Sequence, residues 1–481
     1  MKAVIMAGGH GTRIRAVASD IPKPMIPVLG KPVLQYQIEC LRENGITEII
    51  LVTGYLAESI HEYFGDGSAF GVQLTYFNED SPMGTAGALH YLAEKLDEDF
   101  LLLMGDLMLS VDFGRFMAFH KETGSDVTLF VHPNSHPYDS DIIVTDTVGR
   151  LSDFTEARCG IGAAASGEDR ASDMPAANAA CAGGEKPEQK RQEEMRRSLV
   201  TEVISKKADR TGLWYHNSVN AGIYAMKAKV AAAVPEPVTK VDLDKDIIRP
   251  LIAEGKVSAY HSTEYVKDMG TPERYEEVTE AVRSGLVEQR NLKSPQQCIF
   301  LDRDGTINVE NGFIRHAEDM ELLPGAAEAI RRINASRYLA VVVTNQPVIA
   351  RGECSFEELD RIHKKMETLL GAEGAYIDAL LYCPHHKDKG FAGEVAELKF
   401  PCACRKPAAG LVEQAAKELN IDLASSWMIG DMTQDIRCGH NAGLHTMLVK
   451  TGMGGADGKY DDVAECTASD LGEAVSLILE R

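Results

Sequence analysis

Short apolar runs alternate with helical patterns along most of the chain, and the alternation begins twice. Lys2–Met6, Glu48–Thr53, Phe100–Met104 and Asp126–His132 read as strands, with helices expected over Pro32–Asn44 and Gly84–Leu96. The rhythm starts afresh at Gln297–Leu301 and continues through Leu339–Thr344, Trp427–Ile429 and Thr446–Val449, with helices over Phe356–Leu370 and Ala408–Leu419. Parallel strands need a crossover between them and are buried on both faces, so this alternation predicts α/β domains with parallel sheets covered by helices. The polar stretch Gln289–Gln296 divides the chain into a domain over 1–288, a linker over 289–296 and a domain over 297–481. Cys159–Arg197 breaks the rhythm. It is rich in Ala, Gly, Glu and charge, and cannot bury enough surface to offset its ordering entropy. It reads as a mobile surface insertion over 159–197, with a regulatory or docking loop as the alternative.

Charge narrows the partners. The 481 residues include 50 Lys plus Arg against 72 Asp plus Glu, a net −22. Such a field repels nucleic acid and anionic lipid, although a few local cations can still gather phosphates in a pocket. No apolar run approaches the ~18 residues of a membrane helix. Met1–Gly11 carries no signal-peptide cleavage pattern. The expectation is a cytoplasmic protein with small-molecule partners and neither nucleic acid nor membrane; homo-oligomerisation stays open. In a reducing compartment the ten cysteines should not form a disulfide framework, so close Cys/His spacing reads as metal binding.

The first strand runs into Ala7-Gly8-Gly9-His10-Gly11-Thr12-Arg13. Glycines there let backbone amides wrap an anion, and Arg13 can add a charged fork. Pro22-Lys23-Pro24-Met25 follows, with Lys23 able to reach the same phosphates. Alone, the pattern is equally a tight turn and a surface lysine. Together the two motifs resemble the sugar-1-phosphate nucleotidyltransferases, and further segments agree in order. Glu79-Asp80-Ser81-Pro82-Met83-Gly84-Thr85 resembles the family's base and ribose loop, Gly105-Asp106 its metal aspartate, Asn220-Ala221-Gly222 its sugar strand and Asp268-Met269-Gly270 its second metal aspartate. The resemblance implies nucleotide binding by Gly8, Gly9, Gly11, Thr12, Arg13, Lys23, Glu79, Gly84 and Thr85, with Arg13 and Lys23 catalytic. It implies Mg²⁺ on Asp106 and Asp268, and sugar binding by Asn220. The family's sugar-phosphate lysine has two candidates, Lys206 and Lys207, because the literal Glu185-Lys186-Pro187 falls inside the insertion. Guanine offers a carboxylate two adjacent donors where adenine offers one beside an acceptor. Glu79 therefore favours GTP.

Cys298–Leu301 ends in Asp302-Arg303-Asp304-Gly305-Thr306, two carboxylates at a strand end, where open α/β sheets bind ligands. With Thr344-Asn345, Arg405-Lys406-Pro407 and Gly430-Asp431 following in order, the pattern resembles the haloacid-dehalogenase phosphatases. The resemblance makes Asp302 the nucleophile and Asp304 the acid–base. It puts phosphate on Thr344, Asn345, Arg405 and Lys406, and Mg²⁺ on Asp302, Asp304 and Asp431. Cys383-Pro384-His385 with Cys402-Ala403-Cys404 supplies three thiols and an imidazole for a closed structural Zn²⁺ site, with His386 a substitute ligand. This run resembles the heptose-bisphosphate phosphatase subfamily, which the histidinol-phosphate phosphatases partly share. Thr344-Asn345-Gln346-Pro347-Val348 replaces the usual Ser-Gly with Pro347-Val348, which leaves substrate detail open.

The resemblances imply a Rossmann-like, glycosyltransferase-A-like nucleotidyltransferase fused to a Rossmannoid haloacid-dehalogenase domain with a zinc loop. One domain would convert heptose 1,7-bisphosphate to heptose 1-phosphate, and the other would join that sugar to GTP. Open alternatives are ADP-heptose synthesis, a GDP-mannose-type transferase, histidinol phosphate as the phosphatase substrate, and one inactive domain acting as a scaffold.

Overall fold

The computed structural model describes residues 1–9, 21–146, 199–236 and 240–481. Gly11, Thr12, Arg13 and the 159–197 insertion lie outside the described residues.

The N-terminal domain is built on a nine-stranded sheet. Its strands are β1 (Lys2–Met6), β2 (Glu48–Thr53), β3 (Gln73–Asn78), β4 (Phe100–Met104), β6 (Val127–His132), β7 (Ile142–Thr145), β8 (Val200–Ile204), β9 (Val219–Met226) and β10 (Val257–His261). The order is β8-β7-β9-β4-β1-β2-β3, with β6 pairing β9 and β10. A separate two-stranded ribbon joins β5 (Leu107–Ser110) to β11 (Tyr265–Asp268). Helices α1 (Val33–Glu43), α2 (Ala57–Phe64), α3 (Gly87–Leu92), α4 (Phe113–Thr123) and α5 (Pro272–Arg283) complete it.

The all-parallel expectation fails here. β1, β2, β3 and β4 are parallel, but β9 runs antiparallel to β4 and β6, and β8 antiparallel to β7. β8 and β9 both run antiparallel to β7, which lies between them, so the two share the reversed direction. Apolar clusters cover both faces of the sheet as expected.

The C-terminal sheet is wholly parallel, in the order β14-β13-β12-β15-β16-β17, from β12 (Gln297–Leu301), β13 (Tyr338–Asn345), β14 (Ala379–Cys383), β15 (Trp427–Gly430), β16 (His445–Val449) and β17 (Cys466–Ala468). It is flanked by α6 (Ala326–Asn334), α7 (Phe356–Ala372), α8 (Gly410–Leu419), α9 (Thr433–Ala442) and α10 (Leu471–Leu479). Apolar side chains fill both of its faces.

The 289–296 linker is ordered at both ends. Arg290 is buried against Asp378 at 3.1 Å and the carbonyls of Ser336 and Tyr338. The Gln296 amide donates to the carbonyls of Gln289, Asn291 and Ser294.

Candidate active sites

In the N-terminal domain β1 delivers Gly8 beside Glu79: a side chain at Gly8 would meet Glu79 Oε2 at 3.2 Å. Glu79 Oε1 is buried without a hydrogen-bond partner among the described residues, and desolvation raises its carboxyl. A ligand with paired N–H donors would satisfy it. Gly84 and Thr85 are tied to the neighbouring chain. Gly84 adopts φ +88° against the Val241 backbone, where only glycine fits, and Thr85 Oγ1 accepts the Leu243 N–H at 2.7 Å.

The two expected metal aspartates are brought together. Asp268 is paired across the β5–β11 ribbon with Leu107, next to Asp106, and Met269 N donates to the Asp106 carbonyl at 3.1 Å. Lys23, in a single turn over Lys23–Met25, forms an ion pair with Asp106. Arg274 grips both oxygens of Asp268 at 3.0 Å, because Thr271 caps α5 and turns its first turn onto β11. Against a desolvation that would raise it, Arg274 and Lys23 hold the Asp268 carboxyl below its ordinary range. Arg274 also reaches His136 Nδ1 at 3.1 Å and Asp139. Burial pushes the half-buried His132 down to about 3, and it lowers His136 as well, so both imidazoles are neutral. A cavity of about 1000 Å³ opens onto Asp106, Asp268, Asn220, Arg274 and Lys206. Lys207 is exposed and does not line it. Asn220 is pre-set by accepting from Gly222 N at 3.0 Å and donating to the Tyr224 hydroxyl at 3.1 Å.

The second site sits at the carboxyl ends of β12 and β15. Asp302 follows β12, Asp431 follows β15, and Asp435 lies one turn into α9, where its carboxylate accepts the Met432 N–H. The three carboxylates converge within 4.8 Å. Lys406, fully buried, lies 2.8 Å from Asp302 Oδ1 and 2.7 Å from Asp435 Oδ1. Burial opposes its charge, but Asp302 and Asp435 raise its pKa. Asp431 is pushed up to about 8 by burial and then by Asp302, and burial raises Asp435. Gly305, at φ +76°, presses so closely that a Cβ would fall 2.4 Å from Asp431 Oδ2. Among the described residues, Asp431 Oδ1 is buried with no hydrogen-bond donor. Three convergent carboxylates with an orphan oxygen fit a hard divalent cation such as Mg²⁺.

Asp304 does not join that cluster. Arg303, completely buried, grips both its oxygens at 2.9 Å, and Asn308 and Gln346 add donors at 3.0 and 2.9 Å. Asn345 brackets Lys406: its Oδ1 accepts from Lys406 N at 3.0 Å and its Nδ2 donates to Lys406 O at 3.1 Å. Thr344 Oγ1 accepts from Gln346 at 3.0 Å. Asn345 therefore holds the Lys406 backbone in place, and Thr344 holds the Gln346 amide that donates to Asp304.

Cys383, His385, Cys402 and Cys404 meet with donor separations of 3.3–3.5 Å. That spacing matches the edges of a tetrahedron around Zn²⁺. Burial drives the Cys383 thiol far up, a cost that a bound cation removes. Cys402 and Cys404 lead directly into Arg405, whose Nη1 donates to the His385 carbonyl at 3.2 Å. His386 instead contacts Arg351 at 3.1 Å.

Sequence reasoning missed several groups at these sites. Asp435 lies within the motif already singled out at Gly430–Asp435, at the spacing of one helical turn. Arg303 stands between the two expected acids, and Arg274 lies six residues past the second expected metal aspartate, in the first turn of α5. Glu310, pushed up to about 7 by burial and then by Asp304, carried no motif signal.

The nucleotidyl transferase family model matches residues 2–157, and an HAD-hydrolase-like model matches residues 403–474. A D-glycero-beta-D-manno-heptose-1,7-bisphosphate 7-phosphatase of Pasteurella multocida is 40% identical over 158 residues, 33% of this chain and 83% of its own. The chain belongs to that phosphatase family. A second relative, from Thermosynechococcus vestitus, is 36% identical over 189 residues, 38% of this chain and 96% of its own. Among solved structures, HddC from Yersinia pseudotuberculosis is 22% identical with a TM-score of 0.42, covering 58% of this chain and all but 1% of its own. The D,D-heptose 1,7-bisphosphate phosphatase from B. bronchiseptica, solved with magnesium and phosphate, is 32% identical with a TM-score of 0.34, covering 38% and 99%. The protein is thus an enzyme with a nucleotidyltransferase domain and a phosphatase domain in one chain. No described helix is long and apolar enough to cross a membrane.

Proposed function

We propose that the C-terminal domain hydrolyses the 7-phosphate of D-glycero-D-manno-heptose 1,7-bisphosphate. The N-terminal domain then transfers GMP from GTP to heptose 1-phosphate, giving GDP-heptose and pyrophosphate. The carrying observation is the buried Asp302–Lys406 pair, at 2.8 Å, in a domain whose 36–40% identical relatives are heptose-bisphosphate phosphatases. The product of that reaction is a sugar 1-phosphate, the substrate class a sugar nucleotidyltransferase consumes. The proposed setting is the cytoplasm, upstream of a surface glycan.

In the phosphatase, the Asp302 carboxylate attacks phosphorus and the bond to the sugar oxygen breaks. Asp304 protonates the departing oxygen, then takes a proton from the water that opens the aspartyl phosphate. Lys406 neutralises charge on the phosphoryl group, and Arg405 and the zinc loop hold its segment in place. Asp302, Asp431 and Asp435 would hold Mg²⁺, which offsets repulsion between nucleophile and phosphate. Cys383, His385, Cys402 and Cys404 would hold Zn²⁺ in a structural role, since all four positions are filled by the chain.

In the transferase, a sugar-phosphate oxygen attacks the α-phosphorus and pyrophosphate leaves, so positioning and charge neutralisation dominate. Gly8, Gly9, Gly11, Thr12, Arg13 and Lys23 would hold the triphosphate, and Lys206 and Asn220 the sugar phosphate. Asp106 and Asp268 would hold Mg²⁺ in competition with Lys23 and Arg274, which neutralise them in this structure. Guanine is favoured because Glu79, whose Oε1 is buried and unpartnered among the described residues, would offer its carboxylate to N1–H and the 2-amino group together.

Asp302→Asn tests the assignment. It should abolish phosphate release from the bisphosphate and leave pyrophosphate release from supplied heptose 1-phosphate intact. Loss of both activities would overturn the modular reading.

A further inference from the structure

The two domains are joined by more than the 289–296 connection. Trp214, on the segment between β8 and β9, packs against the phosphatase core and lies 5.4 Å from the Arg361 guanidinium and 5.3 Å from the Lys365 ammonium. His216 is held from both sides by α7, Nδ1 to Glu367 at 2.7 Å and Nε2 to Asp360 at 2.9 Å. The second Glu367 oxygen accepts the Asn217 N–H at 2.8 Å. Thr368 receives the Tyr215 N–H at 3.0 Å. Gly371, on the same helix, lies against Pro137 so closely that a Cβ would be 2.7 Å from its ring.

From that contact a chain of hydrogen bonds runs into the transferase cavity. Asn217 is bonded in both directions to the Asn134 backbone, at 2.7 and 3.1 Å, and Asn134 Oδ1 accepts the His136 N–H at 3.0 Å. His136 meets Arg274, which grips Asp268. The docked segment is itself bounded by Lys206 and Asn220, the two sugar-side candidates. Asn334 and Tyr376 of the phosphatase domain line the same cavity.

We propose that helix α7 of the phosphatase domain shapes the acceptor-sugar pocket of the transferase, with Glu367 as the positioning residue that fixes His216 and Asn217. This rests on the transferase reading above. The phosphatase domain then serves the second reaction as a template as well as its own reaction as a catalyst. Burial would lower the His216 pKa, but Glu367 and Asp360 raise it to about 9, so the clamp stays charged through the neutral range. Asp360 also binds Lys364 at 2.8 Å, so Glu367 is the partner whose loss falls most directly on the docked segment.

The test uses full-length Glu367→Gln and His216→Asn. Wild type is first assayed for transfer with heptose 1-phosphate and GTP. In each variant the KM for heptose 1-phosphate should rise about tenfold, with KM for GTP and phosphatase kcat/KM changed less than about twofold. Hydrogen exchange across 134–141 and 205–220 should accelerate while exchange in β12 and β15 stays as in wild type. Unchanged KM for the sugar, or a parallel fall in all activities, would overturn the proposal. If wild type transfers nothing to heptose 1-phosphate, the transferase reading fails on its own account. The exchange data then decide: faster exchange in both segments upholds the templating, and unaltered exchange refutes it.

Discussion

Replacing Lys406 by methionine removes one charge from a buried cluster of charged side chains. Its ammonium lies 2.8 Å from Asp302 and 2.7 Å from Asp435, with Asp431 in the same carboxylate group. At an effective dielectric constant of about 20, each contact is worth about 6 kcal/mol gross, most of it offset by desolvation. Removing one partner of such a pair costs about 3–5 kcal/mol, because the carboxylates are left uncompensated. For a domain of this size that corresponds to a fall of about 6–20 °C in the midpoint of phosphatase-domain unfolding. Phosphate release should fall by about 10²–10³, the usual effect of losing one preorganised charge stabiliser. The assays are calorimetry without added divalent cation at about pH 8 and steady-state phosphate release, with pyrophosphate release as the unaffected control. A Lys406→Met protein whose unfolding is unshifted and whose phosphatase falls less than about tenfold would refute the reasoning.

The same cluster sets a pH dependence. Asp431 is raised to about 8 from an ordinary value near 4, so its ionisation destabilises the metal-free fold progressively as pH rises through that window. Stabilisation by Mg²⁺ should therefore be larger at about pH 8.5 than at about pH 6, by calorimetry at matched magnesium. Cys404→Ser should lower bound zinc and cut phosphatase activity at least about tenfold by loosening Arg405 and Lys406, while transfer continues; metal analysis and parallel assays check this. Glu79→Gln opposes an amide to the guanine donors and should cost about tenfold in kcat/KM for GTP. Finally, the cavity touches Arg290, Tyr376 and Asp378, at the starting ends of β13 and β14, whereas Asp302, Asn345 and Asp431 lie at the finishing ends of their strands. Strands of five residues separate those edges by roughly 17 Å. Heptose 1-phosphate should pass through solution, and an excess of unlabelled heptose 1-phosphate should dilute the label in the nucleotide sugar in full proportion.

Much of this was legible from strand ends. Met6, Leu301 and Ile429 close buried apolar runs, and the residues after them carry the chemistry, because backbone at a sheet's edge is free to meet ligands. The zinc ligands were legible because two tight pairs of donors have few other reasons to exist. What escaped depended on long-range geometry. The reversed direction shared by β8 and β9 is set by which strands pair across the sheet, which apolar patterning does not encode. Arg303 turning onto Asp304, and Arg274 onto Asp268, are choices of side-chain direction made by packing. The contact of His216 with α7 joins residues about 150 positions apart in sequence, and no local pattern marks it.

The central claim is that one chain carries out two consecutive steps on one sugar. The most direct test incubates the full-length protein with Mg²⁺, the α or β anomer of heptose 1,7-bisphosphate, and GTP or ATP, and follows phosphate, pyrophosphate and nucleotide sugar by mass. GDP-heptose, with phosphate and pyrophosphate released in equal amounts, is the predicted result. ADP-heptose would keep the two steps and discard the role given to Glu79. Phosphate without any nucleotide sugar from either anomer would contradict the account.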